Sequence, residues 1–267
     1  MKRLIRPIVI CVLVFFILSC GTVPITGRRQ LNLIPAGTML SMSFQQYDEF
    51  LKTHQLSDNS RQTAMVKRAG ERISRAVERY FAQRGESERL RNYAWEFNLV
   101  EDEAVNAWCM PGGKVVVYTG ILPVAENETG LAVVMGHEIA HAVARHGNER
   151  MTQGLMVQMG GLALSTALQK YPERTQQLWM QAFGLGAQVG VLLPYSRTHE
   201  TEADRLGLIF MALAGYNPQA AVGFWQRMTQ ASGGQAPPEF LSTHPAGETR
   251  IRQIRAALPE AMRYYRQ

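Results

Sequence analysis

Met135-Gly136-His137-Glu138-Ile139-Ala140-His141 has the form His-Glu-x-x-His, and its flanks, Gly130-Leu131-Ala132-Val133-Val134 and Ala142-Val143-Ala144, are almost wholly apolar. An apolar run of this kind predicts a buried helix, since an exposed one would carry a polar face. Residues four apart stand on one helical face a turn apart, so His137 and His141 can aim their imidazoles at one ion. Glu138 is turned off that face, which keeps its carboxylate for a water on the metal and makes it the candidate general base. The motif is short and arises by chance in helices that bind nothing. Here, three polar side chains entering an apolar helix need a shared partner. Zinc is the first choice, with other divalent ions open to the same donors.

A catalytic zinc takes three protein ligands and keeps a fourth position open. The third is expected from Thr198-His199-Glu200-Thr201-Glu202-Ala203-Asp204, which opens a helix running to about Ala214. Glu200 and Asp204 are four apart and share a face, so Glu200 can ligate while Asp204 accepts a hydrogen bond from a ligating imidazole. His199 is the rival ligand, and Glu202 is expected to face outward. His146, nine residues past His137, falls on the opposite helical face and is expected in solvent.

The length of 267 residues suits one domain with an appended segment. Hydrophobic content of 46% and charged content of 19% are those of a globular protein. Residues 1–19 hold Lys2, Arg3 and Arg6 and no acid, then an apolar run from Pro7 to Leu18 that is short for a spanning helix and suits a signal segment. Without that segment the formal charge falls from +6 to +3, a weak case for nucleic acid, and no nucleic-acid partner is expected. Cys11, Cys20 and Cys109 leave no pairing framework, and Cys109 reads as a small packed hydrophobe.

Residues 20–40, with Pro24, Gly27, Pro35 and Gly37, read as an irregular tether, followed by one domain over 41–267. Helical periodicity covers Ser41 to Phe50 and Arg61 to Phe81, and Gly85 to Arg91 reads as a charged loop. Tyr93 to Val100 alternates as a strand. After Pro111-Gly112-Gly113, the run Lys114-Val115-Val116-Val117-Tyr118 is a second strand. It is either a core strand or an exposed edge on which Val115, Val116, Val117 and Tyr118 hold a peptide substrate by main-chain bonds. The metal helix is expected from Glu128 to Arg145, capped by Asn127 or Thr129, with Gly147 as its stop. Residues 154–168 and 178–193 are apolar and near 15 residues each, short for a membrane hairpin and better suited to a buried helical one.

His137-Glu138-x-x-His141 with Glu200-x-x-Ala203-Asp204 resembles the M48 family of zinc metallopeptidases. Asn106-Ala107 with Pro111-Gly112-Gly113, Gly215-Tyr216-Asn217-Pro218 and Ser242-Thr243-His244-Pro245 followed by Arg250 extend the likeness. The resemblance implies an α+β fold, mostly helical, with a small sheet beside the metal helix as in zincins. It implies a zinc endopeptidase in which His244 and Arg250 stabilise the oxyanion, His244 being also able to take the fourth zinc position and hold the enzyme latent. Ile17-Leu18-Ser19-Cys20-Gly21 is similar to a lipoprotein signal ending in a lipidated Cys20. With the family likeness it points to the periplasmic lipoprotein branch. That implies a lipid anchor at the periplasmic face of the bacterial outer membrane, and misassembled envelope proteins as substrates. No 34-residue period is visible, so tetratricopeptide repeats are not expected. The competing expectation is a zinc-binding assembly factor or chaperone that cuts little or nothing.

Overall fold

The computed structural model describes residues 20–231, 239–245 and 247–266. The expected signal segment, residues 1–19, lies outside them, as does the Cys20 side chain. The chain forms two compact units, one of residues up to Thr38 with Arg145–His199, the other of Met39–Ala144 with Glu200–Gln267.

In the first unit, β1 (Cys20–Thr22) and β2 (Arg29–Leu31) pair antiparallel, Cys20 opposite Leu31. The irregular tether expected here is therefore corrected. Pro24 and Gly27 close a tight turn in which Val23 N–H donates to Arg28 O and Gly27 N–H to Val23 O. The first long helix, α1 (Ala36–Thr53), starts inside the expected tether as well and runs on into the second unit.

The second unit carries α2 (Ser60–Gln83), capped by the Asn59 side chain, and a three-stranded sheet of β3 (Glu96–Val100), β4 (Ala107–Met110) and β5 (Lys114–Tyr118) in the spatial order β3-β5-β4. A single 3₁₀ turn, Ser87–Leu90, lies within the expected charged loop. β5 pairs in parallel with β3, Glu96 opposite Lys114, and antiparallel with β4, Ala107 opposite Val117. Both main-chain edges of β5 are thus taken, and Val115, Val116, Val117 and Tyr118 do not form an edge for a peptide. The uninterrupted β-branched run is the pattern of a strand covered on both faces, and Val115, Val116 and Val117 are fully buried. β4 pairs with no second strand among the described residues. Its four residues, Ala-Trp-Cys-Met, carry no β-branched signal.

A short helix, α3 (Leu122–Ala125), precedes the metal helix α4 (Glu128–Val143). The Asn127 side chain accepts from Gly130 N–H at 3.0 Å, and every residue from Gly130 to Val143 is buried. Glu128 in the first turn accepts from Tyr216 Oη at 2.6 Å and from Arg68. The helix ends where Arg145 takes a left-handed conformation, φ 59°, two residues before the expected stop at Gly147.

α5 (His146–Leu168) and α6 (Glu173–Ala187) form the apolar hairpin of the first unit, followed by one wide helical turn over Gln188–Leu192 and by α7 (Leu193–Leu213). It is not the buried hairpin expected: no residue of α6 is buried, and Met159, Leu162 and Leu185 are about 70% exposed, at 68%, 71% and 69%. Among the described residues no helix is long and apolar enough to cross a membrane. Length separated a membrane span from a shorter helix but could not separate a core helix from an apolar surface one.

The break at Arg145 also resets the helical phase, and His146 is buried, stacked on His199 with ring centroids 4.4 Å apart. Arg28 donates to both Glu149 oxygens at 2.8 and 2.7 Å, and His199 Nε2 stands 2.9 Å from Glu149 Oε2. Burial alone would raise the Glu149 carboxyl, but the bonds from Arg28 and His199 outweigh it and hold its pKa at about 2. A carboxyl depressed on folding stabilises the fold above its unfolded pKa and loses that contribution as pH falls through the folded value. Glu149 should therefore contribute on the order of 3 kcal/mol above about pH 4.5, lost progressively toward about pH 2. Urea melts of Glu149→Gln against wild type across that range check this, the variant showing the flatter acid limb.

Candidate metal centre

Helix α4 presents His137 and His141 on one face, and α7 brings Glu200 beside them. The helices meet at two glycines: a Cβ on Gly136 would stand 2.9 Å from Gly207 O, and one on Gly207 2.8 Å from His137 N. Glycine at both positions lets the backbones approach closely enough for Glu200 and Asp204, two turns and one turn before Gly207, to reach the histidines. Gly207→Ala should separate the helices at a cost of about 1–3 kcal/mol and weaken zinc binding. A chelator competition titration beside a thermal melt checks both effects.

His137, His141, Glu200 and His244 each offer a ligand atom, all within 4.8 Å of one another and all buried. His137 Nε2 is 3.1 Å from His141 Nε2, 3.2 Å from His244 Nδ1 and 3.4 Å from Glu200 Oε2. His141 Nε2 is 3.3 Å from Glu200 Oε1, and His244 Nδ1 is 2.9 Å from Glu200 Oε2. Donors at 2.0–2.1 Å from a tetrahedral zinc stand about 3.3 Å apart, so the spacing fits that ion. The Glu200 carboxyl is held far below its ordinary range: burial opposes this, and the three surrounding imidazoles overcome it. His137 Nδ1 faces Asp204 Oδ1 at 2.9 Å, which leaves Nε2 as the nitrogen aimed at the other donors. Burial would lower the His137 pKa, yet Asp204 and Glu200 raise it to about 9.

Glu138 stands apart from the converging donors, its Oε1 4.0 Å from His137 Nε2 and 3.5 Å from His244 Nε2. That oxygen is buried and has no hydrogen-bond partner among the described residues. Burial is the main cause pushing the Glu138 carboxyl above its ordinary value. Such an atom is costly unless something bonds it, and a water beside the donors would do so.

His244 follows the short helix α9 (Glu239–Thr243), its ring stacked on Phe240 at 4.5 Å. Arg250, on α10 (Glu248–Ala261), is buried. Its Nε and Nη2 donate to Asp204 at 2.9 and 2.8 Å, and Nη1 donates to His244 O and Pro245 O at 3.1 Å each. Its guanidinium carbon lies 3.4 Å from the centre of the Trp225 ring, on α8 (Ala220–Ala231). Trp225 and Phe240 carried no signal in the sequence, where an aromatic in an apolar helix reads as core. His199 is turned to Glu149 and lies outside the donor group. Glu202 is buried, not outward, because α7 is covered almost all round between His199 and Ala212. Cys109 on β4 is pushed well above the usual thiol range, first by burial and then by Glu138, which suits packing rather than nucleophilic attack.

Two helical imidazoles, a carboxylate from a second helix and an acid left beside them define the centre of a zinc metallopeptidase. The chain belongs to peptidase family M48, whose model matches residues 67–258. It is 34% identical over 252 residues to the mitochondrial metalloendopeptidase OMA1 of Schizosaccharomyces pombe, covering 93% of this chain and 69% of that one. To mitochondrial metalloendopeptidase OMA1 of Saccharomyces cerevisiae it is 36% identical over 185 residues, 67% of this chain and 51% of that one. To the beta-barrel assembly-enhancing protease of Escherichia coli it is 29% identical over 173 residues, 60% of this chain and 34% of that one. The chain thus spans about half or less of the last two relatives.

These relatives correct the expected location at the periplasmic face of the bacterial outer membrane. The relatives matched over nearly the whole chain, the S. pombe protein among them, are mitochondrial, and the bacterial match covers only 60% of it. A basic, acid-free start followed by an apolar run is chemistry common to several targeting signals, so it did not decide the compartment.

Proposed function

We propose that this metallopeptidase cuts exposed, unstructured segments of misfolded or misassembled proteins, with His137, His141 and Glu200 holding zinc and Glu138 acting as the base. The observation that carries the reading is the unpartnered Glu138 oxygen beside four converging donors. When bound, zinc lowers the pKa of its water and polarises the scissile carbonyl. Glu138 takes the proton of the attacking water and returns it to the leaving amine. Asp204 fixes the His137 ring. His244 and the cation of Arg250 favour negative charge developing on the carbonyl oxygen, Arg250 acting by its field, since its N–H groups are engaged by Asp204 and two carbonyls. An extended peptide would add to the outer edge of β4, which has no second strand beside it among the described residues.

The second reading, a zinc-binding assembly factor with little proteolysis, is favoured by His244, whose Nδ1 can serve as a fourth ligand and close the site or hold it latent. The E. coli relative's name, an assembly-enhancing protease, joins both roles in that protein. Casein digestion by the full chain and by His244→Ala, with zinc content measured, separates the two. Cleavage that rises in His244→Ala supports a latent peptidase. Zinc-loaded protein that cuts in neither form supports the assembly factor.

A further inference from the structure

We propose that the first unit contains a binding site for a single acyl chain of an anionic lipid, independent of the peptidase centre. β2, the α5–α6 hairpin and the wide turn after it border an open cavity of about 690 Å³, walled by Leu31, Met156, Val157, Phe183, Ala187 and Val191. Its volume lies within the roughly 300–1,000 Å³ of small-molecule sites, and it would hold about twenty waters at ~30 Å³ each, most of them facing carbon. A hydrocarbon chain suits those walls better. Phe183 reaches in over Gly160, where an added Cβ would stand 3.1 Å from its Cζ, so the helix pair is shaped around an aromatic and a void rather than closed upon itself.

Polar groups also line the cavity: Arg29, Gln30, Glu149, Thr152 and Gln153. Glu149 is taken by Arg28 and His199. Thr152 Oγ1 accepts from Leu33 N–H and donates to Asn148 Oδ1. Gln30 Oε1 and Gln153 Nε2 are different: both side chains are over nine-tenths buried, and neither atom has a partner among the described residues. A buried amide left unmet is destabilising. Both atoms are closed off from the cavity as they stand, so a head group meets them only once the amide side chains turn, Gln153 then donating to an ester or acid carbonyl and Gln30 accepting from a hydroxyl. Arg29, exposed at the rim, offers charge to a carboxylate or phosphate head.

The approach to the cavity is apolar as well. Met156 and Val191 both line it and face solvent, and Met159 stands one turn from Met156. No charged residue occurs from Met151 to Gln169 or from Thr175 to Ser196, while Lys170, Glu173 and Arg174 sit at the hairpin tip with Tyr171. Basic and aromatic groups at the end of an uncharged helical surface are the composition of a segment that lies in a lipid interface. The chain could reach the cavity from a bilayer or as a free single-chain lipid, and two arms of one experiment distinguish these sources.

Gly186 lines the cavity, and a Cβ there meets nothing within 4 Å, so Gly186→Leu fills the void while improving helix propensity. Full-length protein is titrated with a fluorescent fatty acid, with lysophosphatidylglycerol and lysophosphatidylcholine as competitors, and in parallel with phosphatidylglycerol and phosphatidylcholine vesicles. Wild type should bind saturably, one molecule per chain. Gly186→Leu should bind at least tenfold more weakly with its melting temperature and zinc content kept. Arg29→Glu, a surface change, should weaken competition by the anionic lysolipid more than by the neutral one. Vesicle binding that Gly186→Leu abolishes, without monomer binding in wild type, makes the source a bilayer. Equal binding by wild type and Gly186→Leu in both arms, or none by wild type in either, overturns the proposal.

Discussion

Glu138→Gln should abolish peptide hydrolysis and leave zinc in place. Glutamine keeps the size of the side chain and both polar atoms but cannot take up a proton, so the loss isolates the acid–base step. Positioned general acid–base groups contribute roughly 10²–10⁴-fold to rate, and kcat should fall by about that factor with KM little changed. Zinc should stay because Glu138 is not among the four converging donors, its nearer oxygen lying 4.0 Å from His137 Nε2. Steady-state kinetics on a quenched peptide, with metal analysis of the same sample, reads both quantities. Loss of zinc together with activity would make Glu138 a ligand and remove the candidate base. Full activity with zinc bound would place the proton transfer elsewhere, His244 being the nearest candidate at 3.5 Å from Glu138 Oε1.

The metal helix was legible because its information is local. The spacing of His137 and His141, the Asn127 cap and the apolar flanks all lie within about twenty residues, and the α4 helix follows from them. Glu200 and Asp204 were legible for the same reason, as neighbours on one face of α7. The mostly helical α+β architecture with a small sheet could likewise be drawn from periodicity and family likeness together. What the sequence hid depended on pairing between distant segments. A central strand and an edge strand have the same composition until a neighbour such as β4 is known, so the role of Val115–Tyr118 could not be fixed. His146 was misplaced by a single left-handed residue, Arg145, which interrupts a phase count that assumed one continuous helix. Trp225 carries no polar atom toward a metal, and only the guanidinium stacked on it marks it as part of the site. The exposed α5–α6 hairpin shows the opposite limit: its apolar composition was plain, but composition does not say what covers a surface.

Arg250→Ala should be the most destabilising single change at this centre, by about 3–5 kcal/mol, because it strands a buried carboxylate. Asp204 is buried and its carboxyl is held below the ordinary range, burial opposing this and the Arg250 charge prevailing. Removing the guanidinium takes away both bonds to Asp204, both bonds to the His244 and Pro245 carbonyls, and the cation over Trp225. Arg250→Lys should recover little, since an ammonium cannot span the two Asp204 oxygens and stack flat on an indole at once. A double-mutant cycle tests whether the cost is the stranded charge or lost packing. Arg250→Met with Asp204→Asn should be more stable than Arg250→Met alone, because the second change removes a buried carboxylate left with His137 as its remaining charged partner, although it weakens the hold on His137. Urea unfolding of zinc-stripped protein measures the cycle free of the metal's own contribution, and a second series with zinc reads the hold on His137. If the double variant is the less stable of the two without zinc, the guanidinium acts mainly by packing on Trp225. In that case the pair with Asp204 is a consequence of the fold at this centre and contributes little to holding it together.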